Sequence, residues 1–174
     1  VGFSFGALIA RHFASKHNDR LKSLIIHGSI YKRTEDQSRI VKNRLTVAKT
    51  NKPASKRSAI RRWLSEEFIK KNPNVYEKLY SILEKNKFKD FLKCYEIFVN
   101  YIDDDNMFKK INVNTLVTTG ENDVGSTTEM SRNLSRMIQG SKFIEIKVGK
   151  HLCGIECAND VNVVFKEFID KNNG

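Results

Sequence analysis

A serine flanked by glycines opens the chain: Gly2-Phe3-Ser4-Phe5-Gly6 reads G-x-S-x-G. That spacing suits a sharp turn from strand to helix that lifts Ser4 Oγ clear of a sheet, a nucleophile elbow. The backbone at such a serine is strained. Gly2 and Gly6, two residues to either side, are expected to remove Cβ atoms that would clash. Ala7 is small as well and lets the following helix approach. A hydroxyl is a poor nucleophile until a base takes its proton. Histidine titrates near neutrality and is the favoured base.

His12, His17, His27 and His151 are the choices. His12 and His17 fall on the helix leaving the elbow and read as surface or packing groups. His27 closes a short apolar strand and reads as structural. His151 lies in the loop Val148-Gly149-Lys150-His151-Leu152, between the last strand and the last helix. That is the carboxyl end of the sheet, where α/β sites gather. The base in turn needs a carboxylate to fix its tautomer and stabilise the imidazolium. Gly120-Glu121-Asn122-Asp123 follows another strand and offers two acids. Asp123 is preferred, because Glu121 directly follows the glycine turn and can simply face water.

The elements that must hold these groups are legible in outline. Residues 7–17 read as a helix with Ala7, Leu8, Ala10, Phe13 and Ala14 closely spaced. Residues 23–27 and 115–119 are apolar or β-branched runs, each closed by a glycine, as buried strands are. Residues 129–138 place Met130, Leu134, Met137 and Ile138 at helical spacing. Residues 143–148 alternate, with Ile144, Ile146 and Val148 against Glu145 and Lys147, as on an edge strand. The last helix carries Val161, Val164, Phe165, Phe168 and Ile169 on one stripe, with Asn159 or Asp160 as cap. This rhythm predicts an α/β fold with a mostly parallel sheet and crossover helices. Residues 31–110 interrupt it with helical stripes of their own: Ile60, Trp63, Leu64 and Phe68; Tyr76, Leu79, Tyr80 and Leu83; Phe88, Phe91, Leu92, Tyr95 and Ile102. The expected division is therefore a core of residues 1–30 and 111–174 with a helical insertion at 31–110.

Composition narrows the partners. The 174 residues suffice for one domain with a core. Hydrophobic residues are 40% and charged residues 29%, the balance of a globular chain. No apolar run approaches the roughly 20 residues of a membrane helix. Thirty-one basic against 20 acidic residues leave a net charge of +11. The basic residues are scattered, the densest stretch being residues 49–62, and read as solvated helix faces rather than a nucleic-acid strip. Cys94, Cys153 and Cys157 are too few and odd in number for a disulfide framework, which points to a reducing cytoplasm. No second Cys or His pair completes a zinc site beside them, so no metal is expected.

In order, Ser4…Asp123…His151 resembles the α/β-hydrolase superfamily. Residues 1–28 look like the elbow, its helix and the next strand. Residues 114–123 look like the strand leading to the acid, and residues 149–169 like the histidine loop and final helix. The resemblance implies a partial α/β-hydrolase fold whose helical cap is residues 31–110. It implies Ser4 as nucleophile, His151 as base, Asp123 as acid and the Phe5 backbone N–H as one oxyanion donor, with no cofactor. The expected substrate is a small-molecule ester, lactone or related carbonyl compound. Carbon–carbon bond hydrolases and perhydrolases share the triad, and a non-catalytic binding protein is the rival class. Lys150 and Ala7 depart from the small residue and third glycine usual beside the histidine and the elbow. The strands before the elbow, and the loop giving the second oxyanion donor, are expected to precede Val1. The isolated chain is accordingly expected to be inactive and poorly soluble.

Overall fold

The computed structural model describes residues 1–172. A two-residue strand β1 (Gly2–Phe3) turns at Ser4 into α1 (Phe5–Lys16), which leads to β2 (Ser23–His27). Five helices follow: α2 (Glu35–Thr50), α3 (Lys52–Trp63), α4 (Glu66–Lys71), α5 (Pro73–Lys85) and α6 (Phe88–Asn100). The chain then runs through α7 (Asp105–Phe108), β3 (Asn114–Gly120), α8 (Thr128–Met137), β4 (Lys142–Ile146), α9 (Cys153–Glu156) and α10 (Ala158–Asn172).

The strands pair in the order β1-β2-β3-β4, all parallel. Parallel neighbours need a crossover, and α1, the helical stretch and α8 supply the three. Ile25 pairs with Leu116, and both meet Phe168 of α10, with Val164, Phe165 and Ile169 around them. Leu24, Ile26 and Val117 point to the opposite face and are buried too. A sheet covered on both faces explains why these strands read as continuous apolar runs.

The chain forms two compact units: Val1–Lys32 with everything from Asp103 onward, and Arg33–Ile102. The return to the first unit falls earlier than residue 111 because α7 is part of its core. Phe108 is fully buried beneath the Arg11 guanidinium and against the Tyr31 ring. The Arg33–Ile102 unit is all helical. Thr34 and Gln37 form a capping box at the start of α2, while Asn51 and Ser65 cap α3 and α4. Ile60, Leu64, Val41 and Ala48 are buried in it, whereas Ile102, expected on an apolar stripe, lies beyond α6 and is 87% exposed. Much of the basic stretch is engaged within this unit. Lys49 pairs with Glu96, Lys56 with Glu84, and Lys52 sits over the Phe88 ring.

The expected pattern on β4 needs correction. The strand ends at Ile146, which is buried against Cys153 and Val161. Ile144 is 37% exposed, and Val148 lies in the following turn, 69% exposed. As an edge strand, β4 is covered by α9 and α10 at Ile146 and by α8 along its length, where Arg132 lies over the Phe143 ring and Thr128 donates to Glu145.

Candidate active site

Ser4 occupies the N-cap position of α1, yet its side chain caps nothing. Its backbone is strained, with φ 53° and ψ −118°, and its N–H donates to His27 O at 2.9 Å, prolonging the β1–β2 pairing. The turn is possible because of Gly2: a Cβ there would lie 2.6 Å from Ala10 Cβ and 2.7 Å from Gly6 O. Gly6 is different. A Cβ on it would meet nothing within 4 Å among the described residues, so the clash expected at that position does not arise.

The uncommitted Ser4 hydroxyl meets His151. Ser4 Oγ lies 2.9 Å from His151 Nε2, and His151 Nδ1 lies 2.6 Å from Asp123 Oδ2. With Asp123 ionised, Nδ1–H donates to the carboxylate and Nε2 accepts from the serine hydroxyl. Asp123 is buried, and its other oxygen accepts the N–H groups of Gly125 at 2.8 Å and Ser126 at 3.0 Å. The loop is held in turn by Thr119, whose hydroxyl donates to Ser126 O at 2.7 Å. Phe5 is the first residue of α1, so its N–H is one of those a helix leaves without an intrahelical partner. It adjoins Ser4 at the positive end of the helix dipole.

The other titratable groups sit apart from this line. His27 is buried, donating or accepting at Thr118 Oγ1 (2.6 Å) through Nδ1, with Nε2 3.5 Å from Cys153 Sγ. Burial first, and the neighbouring His151 second, push its pKa down to about 4. Burial pushes the Cys153 thiol up to about 12, so it stays protonated. Phe3 lies between the two imidazoles, its ring centroid 5.3 Å from that of His27 and 5.0 Å from that of His151. His12 and His17 are exposed on and after α1. Glu121 is exposed and bonds to Lys147 Nζ and Val148 N–H, not to His151. Among the described residues, no group of His, Cys, Asp and Glu could hold a metal ion, and no helix is long and apolar enough to cross a membrane.

One feature of the site was not foreseen. The loops carrying Asp123 and His151 cross at Gly120 and Gly149. A Cβ on Gly120 would come within 2.3 Å of Gly149 O and 2.4 Å of Lys150 O. A Cβ on Gly149 would come within 2.5 Å of Cys153 Cβ. The signal was present as a glycine ahead of each loop residue, but the reasons differ: the crossing leaves no room for a side chain at Gly120, and the close approach of α9 leaves none at Gly149.

No family model matches the chain. The (E)-2-((N-methylformamido)methylene)succinate hydrolase of Acinetobacter baylyi is 24% identical over 174 residues, spanning 98% of this chain and 64% of that protein. The enol-lactonase of Burkholderia xenovorans superposes with a TM-score of 0.85 at 20% identity, over 97% of this chain and 64% of its own. An α/β-hydrolase enzyme from a Medee basin deep-sea metagenome superposes at 0.83 with 22% identity, over 97% of this chain and 63% of its own. The chain thus has the α/β-hydrolase fold, in partial form. It spans about 64% of the length of the hydrolase and the enol-lactonase it matches.

Proposed function

We propose that this chain carries the reacting centre of a serine hydrolase that cleaves a small ester, lactone or related carbonyl compound through an acyl-enzyme. The observation that carries this reading is the unbroken line Ser4–His151–Asp123, with a strained Ser4 whose hydroxyl has no capping duty. Strain and hydrogen-bond supply together describe a nucleophile held ready rather than a serine serving its helix.

His151 Nε2 takes the Ser4 proton as Oγ attacks the carbonyl carbon. Asp123 stabilises the imidazolium that forms. The tetrahedral oxyanion rests on the Phe5 N–H, and one such donor is worth about a hundred- to a thousandfold in rate. His151 then gives its proton to the leaving oxygen, and water repeats the cycle on the acyl group. These transfers need no metal or organic cofactor. The activities of the two similar proteins, a hydrolase of a substituted succinate and an enol-lactonase, fit water attack on a small carbonyl compound.

A fluorophosphonate probe tests the reading in the protein expressed at its full encoded length. Ser4 is expected to be the labelled residue. Ser4→Ala abolishes labelling, and His151→Ala lowers its rate by orders of magnitude. Undiminished labelling of Ser4→Ala overturns the assignment.

A further inference from the structure

The approach to His151 is an unusual piece of backbone. After β4 ends at Ile146, Val148 adopts φ 63°, and among the described residues only Ser4 and Lys32 share a positive φ without being glycine. A β-branched residue is a marked outlier in this region. It is not stabilised by burial, since Val148 is 69% exposed. Hydrogen bonds from the acid loop hold it instead. Glu121 N–H donates to Ile146 O at 2.9 Å, and the Val148 N–H donates to Glu121 Oε2 at 2.9 Å. Asn122 Nδ2 donates to Val148 O at 3.0 Å, and Asn122 N–H donates to Gly149 O at 2.8 Å. Lys147 Nζ reaches the second Glu121 oxygen at 3.1 Å. Glu121 and Asn122 immediately precede Asp123, and the turn they grip immediately precedes His151. The two loops are therefore zipped together by the residues next to the pair whose separation matters.

The Glu121 carboxylate is held below the usual range, first by the Val148 N–H and then by Lys147, so it is charged wherever the site would operate. A charged acceptor makes the stronger bond to an N–H. Glu121 touches neither His151 nor Ser4, so its effect on them passes through the backbone of residues 148–150.

We propose that Glu121 is a positioning residue: by accepting the Val148 N–H it maintains the left-handed turn that sets His151 against Asp123 and Ser4. This rests on the reading of His151 as the base only in its consequence for rate; the geometric claim stands by itself. Misplacing a reacting group by about an ångström can cost on the order of a hundredfold. Glu121→Ala removes the acceptor. Glu121→Gln keeps an oxygen for Val148 but loses the charge. Adding Val148→Gly to Glu121→Ala lets the turn form without support, because glycine adopts this conformation freely.

The test uses the full encoded protein and two readouts, the rate of fluorophosphonate labelling and the far-downfield proton resonance of His151 Nδ1–H bonded to Asp123. Circular dichroism melts confirm that each variant is folded at the assay temperature. Glu121→Ala is expected to lose about ten- to a hundredfold in labelling rate and to broaden or lose the resonance. Glu121→Gln stays within a few-fold of the parent, and Glu121→Ala with Val148→Gly recovers the resonance and most of the rate. A folded Glu121→Ala with unchanged resonance overturns the proposal, as does a double variant that recovers nothing. Should the parent protein fail to label, the hydrolase reading falls, and the resonance alone decides the positioning role.

Discussion

At the scale of single residues, chemistry and position were legible to different degrees. Ser4, His151 and Asp123 could be picked out because each stands beside a glycine turn or a strand end, and the structure joins them by direct hydrogen bonds. Glu121 was read as an acid facing water. It is exposed, but both its oxygens are engaged by the turn before His151, and a spacing argument carries no information about a bond between loops 27 residues apart. His27 yields a prediction at this scale. Its folded pKa of about 4 lies below the ordinary 6.5. Between those values the unfolded chain binds a proton that the folded chain refuses. Stability is therefore full above pH 6.5 and is lost as pH falls toward 4, by about 3 kcal/mol in all. Urea titrations at pH 7 and pH 4.5 should show this loss, and His27→Gln should lack that part of the pH dependence.

Among the elements, the strands were read most closely. Residues 23–27 are β2 to the residue, and 115–119 lie inside β3, because a strand buried on both faces leaves an apolar run that ends where a glycine does. The helix after the elbow starts earlier than its apolar residues suggest, at Phe5, since the turn at Ser4 already sets its first residues. Arg11 was invisible as a structural residue. It is fully buried on α1, donates to Ser29 Oγ and Ile30 O, and pairs with Asp103 at 2.7 Å. Asp103 also accepts the Lys32 N–H at 2.8 Å. One carboxylate thus ties the end of the β2 segment and the return of the chain to the same arginine. Breaking a buried pair leaves a charge without its partner, at a cost of about 3–5 kcal/mol. Asp103→Ala should lower the denaturation midpoint accordingly, whereas breaking a surface pair such as Lys71–Glu67 should leave the midpoint nearly unchanged, because solvent screens both exposed charges. An equal effect of the two substitutions would contradict the assignment.

At the scale of the whole molecule, α1 carries an outward apolar face. Ile9 and Phe13 on it are 59% and 42% exposed, Val1 ahead of β1 is 75% exposed, and among the described residues β1 pairs on one side only. Such a face favours self-association when nothing covers it. The 174-residue chain expressed by itself is expected to aggregate and to show no esterase turnover. A single cooperative melt together with turnover of a small ester would refute this. The amino-acid sequence by itself determined the α/β order, the apolar strands and the choice of Ser4, Asp123 and His151 as candidates, because periodicity and turn chemistry are local properties of the chain. Only the tertiary structure decided which groups meet. It turned Ser4 Oγ from its helix to His151, sent His27 into the core, exposed Ile144 and Val148, and crossed the two loops at Gly120 and Gly149. Those outcomes depend on distances between segments far apart in the chain, which packing sets and local pattern does not record.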